Sequence, residues 1–255
     1  MRNRCDFVRV QHPLLPLVVR LVRSRRSCED DCRHCGGHAD GRGVNDHDNC
    51  GCTMHRVTVT LCRDVSPAAW IDSTDLSWGR LVCLGPDGFK RYARLRFIPD
   101  PERPGQHEGD VPTEVERGTE TEQVRAAADV LTAHTTTPDD CFFGLWDGWG
   151  VHPVEGPAKP RWQVPDRDFF LFHGPLSALG DDAQWREVLH ASGRSWWLPV
   201  PAFVWPADRA WCLTKDVDPH YAGIAASVEA IHDVLGQPQL DVVLADPAQV
   251  PPHYS

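Results

Sequence analysis

Only three of the 26 basic residues are lysines (Lys90, Lys159 and Lys215), and 255 residues contain just two methionines and three tyrosines. No apolar run reaches the ~18 residues that a membrane-spanning helix needs. The best stretch, Leu14 to Val22, is broken by Pro16 and Arg20, and with no small-residue cleavage site after it, it also fails as a secretory signal. A cytoplasmic chain is the expectation. Reaction motifs legible from spacing are missing as well: there is no G-x-S-x-G elbow, no phosphate-binding G-x-x-x-x-G-K, no G-x-G-x-x-G after a strand and no H-E-x-x-H. Nucleophilic catalysis finds little support in the sequence.

What the chain does contain divides sharply near Met54. Six of the ten cysteines (Cys5, Cys28, Cys32, Cys35, Cys50 and Cys52) precede it, whereas Cys62, Cys83, Cys141 and Cys212 are scattered through apolar surroundings, where a reduced thiol acts as a small hydrophobe. Residues 1–53 carry nine basic and seven acidic side chains. Residues 54–255 therefore carry 17 and 29, a net charge of −12. An acidic body without a clustered basic face repels nucleic acid and anionic membrane surfaces, so neither is an expected partner.

The first 53 residues admit two readings. Cys32-x-x-Cys35 and Cys50-x-Cys52, with His34, His38 and His47 nearby, hold the ligand types of a tetrahedral zinc site. The second pair has a single intervening residue, and the stretch has no hydrophobic periodicity. Apart from Met1, Met54 is the only methionine, and patterned sequence begins after it, with Val57, Val59 and Leu61 alternating as a first strand. Residues 1–53 are therefore expected to be a disordered leader, or one included by a start taken too early in GC-rich DNA. Residues 54–255 are expected to form one domain.

Within that domain, Ser66-Pro67 opens a short helix, and Gly85-Pro86-Asp87-Gly88 marks a turn. Ala93, Leu95 and Phe97 then alternate with Arg94 and Arg96, which describes a strand with one wet, basic face. Residues 99–118 are rich in Pro, Gly and acids and form an expected exposed loop. Thr119 and Glu122 make a capping box for a helix reaching His134, with Val124, Ala127, Ala128 and Leu131 on one face. Strands are expected at Cys141–Trp146, Asp168–Phe172, Val204–Trp205 and Ala210–Leu213, the last two separated by a break at Pro206. Asp218-Pro219 reads as the start of a second long helix bearing Tyr221, Ile224, Val228, Ile231 and Leu235, stopped by Gly236, and Leu240–Leu244 as a last strand. The sum is an α+β fold: a mainly antiparallel sheet of five or six strands, covered on one face by two long helices.

Two constellations could carry chemistry. Asp216-x-Asp218-x-His220 supplies two carboxylates and an imidazole for Mg²⁺, Mn²⁺ or Zn²⁺, which would activate a water for a metal-dependent enzyme. Against this stands a local reading in which Asp218 caps a helix and Asp216 pairs with Lys215 or Arg209. The second constellation is aromatic: Trp146, Trp149, Trp205 and Trp211, with Asp147, Asp208 and Arg209 at the mouth, would suit a small polar ligand such as a sugar. Core packing is the competing account of these tryptophans.

The run of segments TLCRDVSPAAW, LVCLGPDGFKRYARLRFIPDP, CFFGLWDGWG, FFLFHGPL and FVWPADRAWC followed by DVDPHYAGI resembles an uncharacterised protein family of high-GC actinobacteria. The resemblance spans nearly all of residues 54–255 and none of the leader. It implies Met54 as the start and carries over no activity, cofactor or site residue. The expectation from the residues is a non-catalytic recognition or regulatory protein that binds another protein, with immunity-like roles fitting by analogy alone.

Overall fold

Alternation along the strands sends large apolar side chains to both faces of one sheet, and that double burial decides the architecture. The computed structural model describes residues 58–73, 76–111, 118–154, 160–165, 167–191 and 198–255. The chain divides into two units between Thr53 and Met54, and only residues of the second are described. The cysteine-rich leader and the zinc reading of Cys32, Cys35, Cys50 and Cys52 lie outside the described residues.

In chain order the elements are β1 (Thr60–Leu61), α1 (Ala69–Asp72), α2 (Trp78–Leu84), β2 (Arg91–Arg96), α3 (Glu120–Leu131), β3 (Cys141–Trp146), β4 (Val151–Pro153), β5 (Trp162–Val164), β6 (Arg167–Gly174), α4 (Asp182–Val188), β7 (Leu189–Ala191), β8 (Phe203–Pro206), β9 (Cys212–Thr214), β10 (Tyr221–Ala226), α5 (Val228–Leu235) and β11 (Val242–Ala245). Among the described residues nine strands form one sheet in the order β1-β6-β3-β8-β9-β10-β2-β11, with β5 also on β6, and β4 pairs with β7 in a separate ribbon. Every pairing is antiparallel. The fold is α+β as expected, but the sheet exceeds five or six strands and the helices are short. No described helix is long and apolar enough to cross a membrane.

Helices cover both faces of the sheet, not one. Phe170 and Phe172 of β6, Val204 of β8 and Ala93 and Leu95 of β2 join a core with Leu131 of α3, Trp185 of α4 and Ile231 of α5. Their neighbours Phe169, Leu171, Phe203, Trp205 and Tyr92 point the other way, into a second core under Ile71 of α1 and Leu81 and Leu84 of α2. A strand buried on both faces loses the alternation of a half-wet one.

That loss explains the largest departure from the sequence reading. Residues 221–226 form β10, not the first turns of a helix, and α5 begins only at Val228, where the Ser227 side chain accepts the Ala230 N–H at 3.1 Å. All six β10 residues are buried, so their apolar spacing of three and four carries no helical meaning. Gly223 sits where the C-terminal end of α2 crosses β10. A Cβ there would run into the Cys83 carbonyl oxygen and stand 2.8 Å from Leu84 Cα. By contrast, the capping box holds as read: Glu122 N–H donates to Thr119 Oγ1 at 3.2 Å and Thr119 N–H to Glu122 Oε2 at 2.7 Å.

Two glycines near the same helix should therefore respond oppositely to alanine. Gly223→Ala has to displace α2 and should cost about 3 kcal/mol. Gly79→Ala, on α2 with nothing within 4 Å of its new methyl group, should gain about 0.5–1 kcal/mol. Urea denaturation of the two variants beside the parent checks both signs.

Candidate functional site

The sequence-predicted residues are not gathered in one place. Trp146 meets Trp149 edge-on at 5.5 Å and carries the Arg167 guanidinium over its face at 4.6 Å, while Asp147 pairs with Arg161 at 3.0 Å. Trp205 is buried under α1, stacked on Phe142 at 5.6 Å and edge-on to Trp70 at 6.1 Å. Trp211 is buried on the opposite face, its Nε1–H donating to the Leu131 carbonyl at 3.0 Å. Asp208 accepts hydrogen bonds from Thr136 N–H at 2.7 Å, Thr135 Oγ1 at 2.9 Å and Ala210 N–H at 3.1 Å. Burial opposes ionisation of Asp208, but these bonds win and its carboxyl lies below the usual range. They tie the turn after β8 to the Thr135–Thr137 segment and hold Arg209 at a positive φ of 55°, its guanidinium 5.3 Å from the Trp70 ring. These tryptophans are core and turn residues, and they do not face one shared pocket.

The three acidic and histidine positions also diverge. Asp216 pairs with Arg167, Asp218 is exposed, and His220 Nε2–H donates to Asp100 Oδ1 at 3.0 Å. Among the described residues no three of His, Cys, Asp and Glu stand close enough to hold a metal ion.

What the structure assembles around His220 is a half-buried ion cluster. Arg94 donates from both terminal nitrogens to Asp100, at 2.5 and 2.9 Å, and Arg96 reaches Asp100 at 3.1 Å and Asp241 at 2.7 Å. Arg94 is only 6% exposed, so the expected wet, basic face of β2 is instead sealed by carboxylates from the Pro99 loop and the segment before β11. The paired geometry is the condition on which a guanidinium enters the interior at all. Burial alone would raise the Asp100 carboxyl. Hydrogen bonds from Arg94 and His220, and the charges of Arg94 and Arg96, instead hold it far below the ordinary carboxylate range. His220 moves the other way from the usual ion pair. Burial lowers its pKa, against the pull of Asp100, so the ring stays neutral.

Beside this cluster lies a cleft of about 1270 Å³. Its floor is the outer side of α2 with Ser77, Gly79, Arg80 and Cys83. One wall carries Phe97, Ile98, His220 and Tyr221, and the other is the segment Pro247–Ser255. Burial raises the Cys83 thiol, which touches the Tyr221 hydroxyl. Lys215 is held by the carbonyl oxygens of Asp216 at 2.6 Å and Pro219 at 3.4 Å, and by Glu120 at 3.4 Å. Of the ten residues singled out from sequence, only Asp218 and His220 line this cleft. The rest of the lining was beyond sequence reading, because neither the residues from 246 onward nor those of α2 carry a motif.

Comparison with protein-family models, with curated proteins and with solved structures finds no match to this chain.

Asp100→Asn leaves Arg94 buried without its counter-charge and should cost about 3 kcal/mol at pH 7. The same variant should lose the acid-side dependence below about pH 4, because a depressed carboxyl stabilises the fold above its unfolded value and loses that stability as pH falls. For His220 the unfolded ring binds protons that the buried one refuses, so stability should fall as pH drops below about 6.5. His220→Gln should flatten the slope that sets in below about pH 6.5. Urea midpoints against pH for the parent and both variants test all of this.

Proposed function

We propose that this chain is a non-catalytic recognition protein that takes up a segment of another protein in the cleft beside α2. The observation that carries the reading is the cleft itself. Its 1270 Å³ exceeds the roughly 300–1,000 Å³ of a small-molecule site, and its walls alternate apolar surface (Leu76, Phe97, Val217, Pro219) with a few polar groups. Three ionisable groups in or beside it are held by the fold, His220 by Asp100, Lys215 by Glu120, and Arg80 by the carbonyl oxygens of Gly85 at 3.1 Å and Pro247 at 3.3 Å, while Asp218 on the lining is exposed. Groups held in this way can orient and select a ligand. A net charge of −12 over residues 54–255 also favours protein over nucleic acid as partner.

Gly79→Trp places an indole in the cleft from a position with open space around it. Recovered gently from its own host and weighed by native mass spectrometry, the parent chain should carry a second chain. The Gly79→Trp chain should be bare while melting within a few degrees of the parent. A companion retained equally by both, or a bare parent, overturns the reading.

A further inference from the structure

The cleft is already touched by one peptide, the chain's own residues 247–255. This segment contains Pro247, Pro251 and Pro252; it leaves a turn closed by the Gln249 N–H on the Asp246 carbonyl at 3.0 Å and runs on through residues 250–255 with no helix, strand or turn. It is held at its two ends. At one, Arg80 Nε–H donates to the Pro247 carbonyl at 3.3 Å. At the other, the Tyr254 hydroxyl donates to the Pro99 carbonyl at 2.6 Å and the Tyr254 ring meets the His220 ring edge-on at 4.8 Å. There too, Ser255 N–H donates to the Gln106 carbonyl at 3.0 Å and His107 Nδ1–H to the Ser255 carbonyl at 2.7 Å. Between these anchors the segment stands off, with Val250 85% exposed.

The contacts are of a kind that transfers between chains. Apart from one tyrosine, they involve main-chain carbonyl and amide groups, which any extended peptide presents. Proline holds such a segment extended before it binds, so little conformational entropy is lost on docking against an aromatic-lined groove. The groove offers Phe97, His220 and Tyr221. A segment fixed only at its ends, with few buried contacts, is also among the first parts of a fold to open.

We infer that the partner enters through an extended, proline-containing segment bearing a tyrosine, and that residues 247–255 hold its place in the unbound chain. This rests on the recognition reading above and names the chemistry of what is recognised. The strap is then a competitor in cis. Its effective concentration, in the millimolar range for a short tether, sets the affinity a partner must exceed.

The test uses full-length protein and a fluorescein-labelled nonapeptide with the sequence of residues 247–255, read by anisotropy. Tyr254→Ala weakens the strap's anchored end without touching either core, and its melting temperature is checked against the parent. The Tyr254→Ala chain should bind the peptide about tenfold more tightly than the parent does. A peptide with alanine in place of its tyrosine should bind neither. Equal binding of the two peptides, or no gain from Tyr254→Ala, overturns the inference. A parent that loses its native companion through Gly79→Trp and yet ignores the peptide keeps the recognition reading and rejects this one. Loss of both results rejects both.

Discussion

One carboxylate holds the site end of the molecule together. Asp100 accepts from Arg94 and Arg96 of β2 and from His220 at the start of β10, and Arg96 in turn reaches Asp241 just before β11. Three neighbouring strands and one loop are thus fixed by charge-assisted bonds in a place where burial alone would raise the carboxyl. The carbonyl of the preceding residue, Pro99, is the group on which Tyr254 rests, and His220 is the ring against which Tyr254 packs. The wall of the cleft therefore depends on the ion cluster behind it. Asp100, which does not itself line the cleft, decides where the lining residues His220 and Tyr254 stand.

The same dependence shows why parts of the molecule were legible in the sequence and others were not. Local chemistry is readable where it is self-contained. Thr119 and Glu122 satisfy each other within one turn, and Pro206 ends β8 because it has no N–H for the ladder. β10 is opaque for the opposite reason. Its conformation is set by α2 lying across Gly223 on one side and by core residues on the other, so tertiary burial overrides an apolar spacing that reads as helical. Arg94 is opaque as well, since a basic residue alternating with apolar ones signals a wet face unless a distant acid, here Asp100, folds over it.

The candidate site was less legible than the fold. The sequence draws attention to tryptophans, but mass of that size belongs first in a core, and Trp205 and Trp211 are spent on opposite faces of the sheet. The scarcer aromatic is more informative. Two of the three tyrosines, Tyr221 and Tyr254, line the cleft, and the third, Tyr92, is buried in the core behind it under the Arg80 guanidinium at 4.8 Å. Each keeps a ring in apolar contact and a hydroxyl free to reach a polar group, as Tyr92 does with the Pro86 carbonyl at 3.0 Å.

The close crossing at Gly223 has a mechanical consequence. With the end of α2 seated directly on β10, the helix can neither slide nor lift without breaking both from the sheet, so the floor it presents through Gly79, Arg80 and Cys83 is as stiff as the sheet itself. The opposite wall is a short span fastened at two points. The cleft thus has one fixed jaw and one compliant jaw, and any change in its width falls on the compliant jaw alone.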